Sequence, residues 1–131
     1  MELRVLGAHN AESKTTRLES HLIDKVLVLD AGGLTRSLTF EEQSGIRAVI
    51  LSHRHFDHVR DLLPLGIGLL NSGKTVDVYA IEDTVKFVSE KLLDGTLYPN
   101  FLNFPSPETP VFRMQDRKST RLNSSHVPIS Y

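Results

Sequence analysis

The sequence predicts an α/β layer fold, and three observations carry that prediction. Short apolar strands alternate with amphipathic segments as far as Met114. One strand, Arg47-Ala48-Val49-Ile50-Leu51, is a continuous run rich in β-branched residues, the pattern of a central strand buried on both faces. The polar stretch that leaves it runs straight into helical spacing, as in a β-to-α connection.

The elements follow in order. Glu2 to Gly7 alternates Leu3 and Val5 with Arg4 and reads as a first strand, followed by a polar loop from Ala8 to Arg17. Leu18 to Ile23 and Val26 to Leu29 form a predicted hairpin across Asp24-Lys25, although that pair is not a favoured turn dipeptide. Asp30-Ala31-Gly32-Gly33 ends the second run. Thr39 with Glu42 three residues on fits a capping box, which predicts a short helix from Thr39 to Ser44 before Gly45. After the central strand, Val59, Leu62, Leu63, Ile67 and Leu70 have helical spacing interrupted by Pro64, so His58 to Asn71 is predicted as a kinked or two-part helix. Thr75 to Ile81 alternates as another strand, and Glu82 to Leu93 has helical spacing closed by Gly95.

Composition narrows the chemistry. The chain of 131 residues has room for one domain, and its 40% apolar and 24% charged content is that of an ordinary globular protein. Fifteen Lys and Arg against sixteen Asp and Glu give a net charge of -1, without the basic footprint of a phosphate-backbone binder. The absence of cysteine excludes disulfides and thiolate metal sites, so any metal must sit on histidine and carboxylate. The opening residues lack the apolar run of a signal peptide, and Leu62 to Leu70 falls short of the roughly 20 residues that span a bilayer. A cytoplasmic protein without membrane association is expected.

From Asp116 the grammar changes to DRKSTRLNSSHVPISY, which has neither helical nor strand periodicity. Asp116 to His126, and Ile129 to Tyr131 after a two-residue gap, match the in-frame translation of a common short-read sequencing adapter. Residues 116 to 131 are therefore expected to be a non-native, disordered tail, with residues 1 to 115 the N-terminal part of a longer domain. Setting aside Asp116, Arg117, Lys118 and Arg121 leaves twelve basic and fifteen acidic residues, a body of net charge -3.

Ser52-His53-Arg54-His55-Phe56-Asp57-His58 places three histidines and an aspartate within six residues, directly after the central strand. Imidazole and carboxylate suit zinc and other borderline divalent ions, and alternate side chains of an extended loop project to one side. His53 and His55 thus suit one ion, while Asp57 and His58 can serve a second. A fortuitous surface cluster is the bland alternative, and its odds are poor for an HxHxDH placed at a strand end. His9 and His21 have no such company and read as loop and strand residues.

The motif resembles the signature of the metallo-β-lactamase fold hydrolases. The resemblance extends to the opening strand ending in Leu6-Gly7, to Asp30-Ala31-Gly32 at the family's Asp-x-Gly turn, and to Leu62-Leu63-Pro64 after the motif. It is nearest to the ribonuclease Z and class II cyclic-nucleotide phosphodiesterase branches. It implies the N-terminal half of an αββα sandwich, incomplete here, and two divalent ions, zinc or else manganese or iron. His53 and His55 would bind the first ion and Asp57 and His58 the second, with Asp57 catalytic in orienting a water or taking its proton. Asp30 would be a buried carboxylate bonding backbone around the loop. The family's remaining ligands, a further histidine, a bridging aspartate and a last histidine, come from segments beyond this region. The implied activity of the complete protein is hydrolysis of an ester, foremost a phosphodiester, of a small-molecule or nucleotide substrate, with the fragment itself inactive. The competing expectation is a metal-binding, non-enzymatic or degenerate member. Processing of nucleic acid would need a basic surface that the acidic body does not offer.

Overall fold

The computed structural model describes residues 1–116. Six strands, β1 (Leu3–Gly7), β2 (Ser20–Ile23), β3 (Leu27–Leu29), β4 (Ala48–Ile50), β5 (Val76–Ala80) and β6 (Phe112–Asp116), form one sheet in sequential order. The first three pair antiparallel and the last four parallel. Parallel neighbours need crossovers. These are α1 (Phe40–Ser44) between β3 and β4, α2 (Phe56–Val59) and α3 (Leu62–Gly68) between β4 and β5, and α4 (Glu82–Phe87) with a π-helical turn (Val88–Leu92) before β6.

Local chemistry accounts for most of these elements. Asp24 and Lys25 both take left-handed backbone, with φ of 53° and 66°, which is the combination that lets a two-residue turn match strand twist. The unfavoured dipeptide thus adopts the expected hairpin. Thr39 caps α1 by accepting from the Glu42 amide at 3.1 Å while the Glu42 carboxylate accepts from the Thr39 amide at 2.9 Å, closing the predicted capping box. The helix after the motif is in two parts, but the break falls at Arg60-Asp61 and not at Pro64. Pro64 occupies the first turn of α3, where a missing N–H costs no intrahelical bond.

Strand alternation sorts the core. Leu22, Val28, Val49 and Val78 are fully buried and share a cluster with Leu62, Leu65, Leu69 and Val88 of the crossovers. Gly66 lies against the ring of Phe101, and a Cβ there would collide with it. The other face differs. Its paired rows run Leu3, Ile23, Leu27, Ala48, Asp77 and Val5, His21, Leu29, Ile50, Tyr79. Those side chains are half-buried at best, and Leu3 and Val5 are exposed. The expectation that β4 is buried on both faces is therefore corrected: Val49 and the following Leu51 are fully covered, whereas Ala48 and Ile50 lie on a face that no described residue covers completely. Incomplete cover falls on Ile50 and its row, and not on Val49 or Leu51.

β6 has no counterpart in the sequence expectations. It pairs Phe112 with Val76 and Asp116 with Ala80, so the strand reaches the first residue of the predicted tail. Residues 117–131 of that tail lie outside the described residues.

Candidate metal centre

The site grows from the carboxyl ends of two adjacent parallel strands, β3 and β4, the usual place for ligands in such sheets. Asp30 leaves β3 with φ of 61°, a left-handed conformation uncommon outside glycine and tolerated best by Asn and Asp. The bend turns its carboxylate toward the loop after β4. There it accepts from the Ser52 amide at 2.7 Å, from the Ser52 hydroxyl at 2.8 Å and from His58 Nδ1 at 2.9 Å. Asp30 is 8% exposed, so each of these bonds is made away from bulk water. The carboxylate role that the resemblance implied for Asp30 is the one it occupies.

The backbone locks the same turn onto the motif. The Ala31 amide donates to the His58 carbonyl at 2.7 Å, and the Asp61 amide donates to the Ala31 carbonyl at 2.7 Å. Gly32 makes the approach possible: a Cβ there would strike the Asp57 carbonyl oxygen.

One proton decides the histidine tautomers. The Ser52 hydroxyl has a single hydrogen, and Asp30 takes it. Toward His53 Nδ1 at 3.0 Å and His58 Nδ1 at 3.3 Å the oxygen must therefore accept. Both rings then carry the proton on Nδ1, and Nε2 keeps its lone pair for coordination. His58 Nε2 lies 3.3 Å from Asp57 Oδ2, which pairs these two donors. His53 sits with its ring centroid 3.8 Å from that of His58 and 4.8 Å from that of His55. Burial, then the neighbouring His58 and His55, hold the His53 pKa below the ordinary imidazole range, which favours the neutral form a ligand must have.

All four predicted ligand residues are thus in one loop region. Among the described residues, however, no group of three or more His, Asp or Glu side chains is gathered so as to hold a metal ion. The donor set fits divalent ions in chemistry and tautomer, and it falls short of closed coordination in number.

Sequence reasoning assigned no role to two residues that organise this loop. Ser52 links Asp30 with both histidines, and Asp61, 1% exposed, accepts from the Thr35 amide at 2.9 Å, the Thr35 hydroxyl at 2.8 Å and Arg60 Nε at 2.9 Å. Arg60 in turn grips Glu12 with two bonds of 2.8 and 3.1 Å. An acidic residue between two apolar helical stretches was the available signal for Asp61, and Ser52 directly before the motif had none beyond its position.

Three solved structures share the fold. Unliganded yeast PDE1 aligns with a TM-score of 0.69 and 11% identity over 87% of this chain and 49% of that one. The metallo-β-lactamase fold protein YhfI from Bacillus subtilis aligns at 0.63 and 20% identity, over 87% and 44%. The short form of human tRNase Z aligns at 0.60 and 19% identity, over 88% and 45%. The chain therefore spans less than half the length of each, as an incomplete metallo-β-lactamase fold. No curated protein matches the chain. The family model described as the beta-lactamase superfamily domain matches residues 22–130, a span that includes part of the tail, and the chain belongs to that family.

Proposed function

We propose that the complete protein is a binuclear metal-dependent hydrolase of esters, foremost phosphodiesters, acting in the cytoplasm on a small-molecule or nucleotide substrate. The observation that carries this reading is the Asp30–Ser52 network, which holds His53 and His58 by Nδ1 and turns Nε2 of His58 to the side where Asp57 lies. His53 and His55 would hold one ion, and Asp57 and His58 the other. When bound, such a pair supplies Lewis acidity, polarising the ester and lowering the pKa of water toward neutrality. Asp57, with its carboxylate beside His58, would orient the attacking water and take its proton at Oδ. Asp30 holds the His58 ring by its Nδ1, which turns Nε2 toward Asp57. The phosphodiesterase and tRNase names of two structural neighbours support the ester class.

No helix among the described residues is long and apolar enough to cross a membrane. Zinc suits the His and carboxylate donors, and manganese and iron are admitted by the same set. The test is purified complete protein with zinc or manganese against bis(p-nitrophenyl) phosphate and cyclic nucleotides. Turnover that ends on adding chelator and returns with metal is expected, and its absence for every ester tried sinks the proposal.

A second reading is favoured by the lack of three converged donors among the described residues: a metal-binding member without hydrolytic activity. Equilibrium dialysis with zinc separates the two, because that reading expects retained metal and no turnover.

A further inference from the structure

Beside the motif lies a pocket of about 340 Å³ whose walls include Arg54, His55, Phe56, Phe87 and Lys91. Its composition runs against the rest of the molecule. The body carries more acid than base, yet the pocket wall holds two cations and no carboxylate. Arg54 is the residue between the two histidines proposed for one ion, and its guanidinium sits 5.4 Å from the centre of the Phe87 ring. At that distance the ring attracts the cation while leaving guanidinium N–H groups available to bond. Neither Arg54 nor Lys91 forms a salt bridge with a described residue. Lys91 lies near enough to Asp94 to help lower that carboxyl's pKa, but Asp94 is not part of the wall.

Two aromatic rings complete the pocket. Phe56 is 63% exposed and Phe87 39%, although each lies on a short helix whose other apolar side chains turn inward. Exposed aromatic side chains beside two cations that form no salt bridge with a described residue suit a flat ring carrying an anionic group. The volume lies in the range of small-ligand sites.

We propose that this pocket is the subsite for the organic part of the substrate, taking an aryl or nucleobase group on Phe56 and Phe87 and its phosphoryl oxygens on Arg54 and Lys91. This rests on the hydrolase reading for the word substrate, since His55 of the motif is one of the pocket's lining residues. Binding itself needs only Arg54, Lys91 and the two rings.

The test is therefore made without metal. The 131-residue chain in EDTA is titrated with phenyl phosphate, inorganic phosphate and benzyl alcohol, followed by calorimetry and by amide NMR shifts. Saturable binding of phenyl phosphate is expected, with shifts at Phe56 and Phe87. Arg54→Gln and Lys91→Gln should each weaken it about tenfold, as for loss of a hydrogen bond to a charged group. Benzyl alcohol should bind the wild type and both variants equally. Both replaced residues are exposed, so the fold should survive, and circular dichroism checks it. No saturable binding, equal binding by the variants, or shifts confined to other residues overturns the subsite. Arginine- and lysine-dependent binding, with no ester hydrolysed by the complete protein and metal, supports the subsite and removes the hydrolase reading. Metal-dependent turnover by the complete protein, with unchanged phenyl phosphate binding in the variants, does the reverse.

Discussion

The two faces of the sheet are built from similar residues and have opposite surroundings. Val49 and Ile50 are neighbours on one strand, both β-branched and both apolar, yet Val49 is fully buried under the crossover helices and Ile50 is only half-covered. The pleat accounts for the difference: consecutive side chains point to opposite faces, and every crossover packs its apolar stripe on the same one. The covered face is a continuous cluster of buried apolar side chains. The open face is an apolar row, Leu3, Ile23, Leu27, Ala48, waiting on a second layer of the kind an αββα sandwich provides. The HxHxDH loop lies at the strand ends, where it is anchored to the covered side by Asp61 and Thr35.

The largest expected contrast comes from truncating the covered face. Leu65→Ala, at a fully buried position, should cost about 2–5 kcal/mol, read as a lower midpoint in urea at unchanged slope. A loss below half a kcal/mol would mean that the helices pack loosely and the contrast is false. Next is the anchor of the site. Asp30→Ala leaves the Ser52 amide and His58 Nδ1 without their acceptor, which should destabilise by about 1–3 kcal/mol. It should also weaken zinc binding about 10–100-fold in competition with a chelating dye. Unchanged zinc affinity would remove Asp30 from any part in orienting His58.

The open face should respond least to polarity. Ile50→Thr should change stability by less than about 1 kcal/mol, because its side chain is already in contact with water. It should reduce binding of a hydrophobic dye and slow aggregation, measured by light scattering. A cost as large as that of Leu65→Ala would show that the face is covered in solution. The smallest effect concerns Glu12, whose carboxyl is held below the usual range by its hydrogen bond to Arg60. A depressed carboxylate stabilises the fold above its ordinary pKa, and that contribution fades as pH falls through the folded-state value. Glu12→Gln should lower Tm slightly at pH 7 and not at all in strong acid. A difference that persists in acid would point to packing in place of charge.

Much of this was readable from local pattern. The capping box at Thr39 and Glu42 and the hairpin around Asp24-Lys25 rest on contacts within a few residues, and the strand at Thr75 to Ile81 shows in its alternation, so sequence spacing encodes each directly. The HxHxDH motif itself was also legible, because it is a short-range signature after a strand. β6 was not. Phe112 and Met114 alternate, but the strand is pinned by pairing with Val76 and Val78 across a long separation in sequence. The burial of β4 was misread for a related reason: a run of β-branched residues looks the same whether one face is covered or two.

The sequence by itself determined the α/β order and the metal-suited donors of the HxHxDH motif, since residue type and spacing are sufficient for each. Only the tertiary structure decided that Ser52 and Asp30 set the tautomers of His53 and His58, and that Gly32 admits the Asp57 carbonyl. It also decided that Arg54, in the motif, and Lys91, thirty-seven positions later, share one pocket. Those relations join residues distant in the chain, and they exist only once β3, β4 and the crossover after β5 are packed side by side.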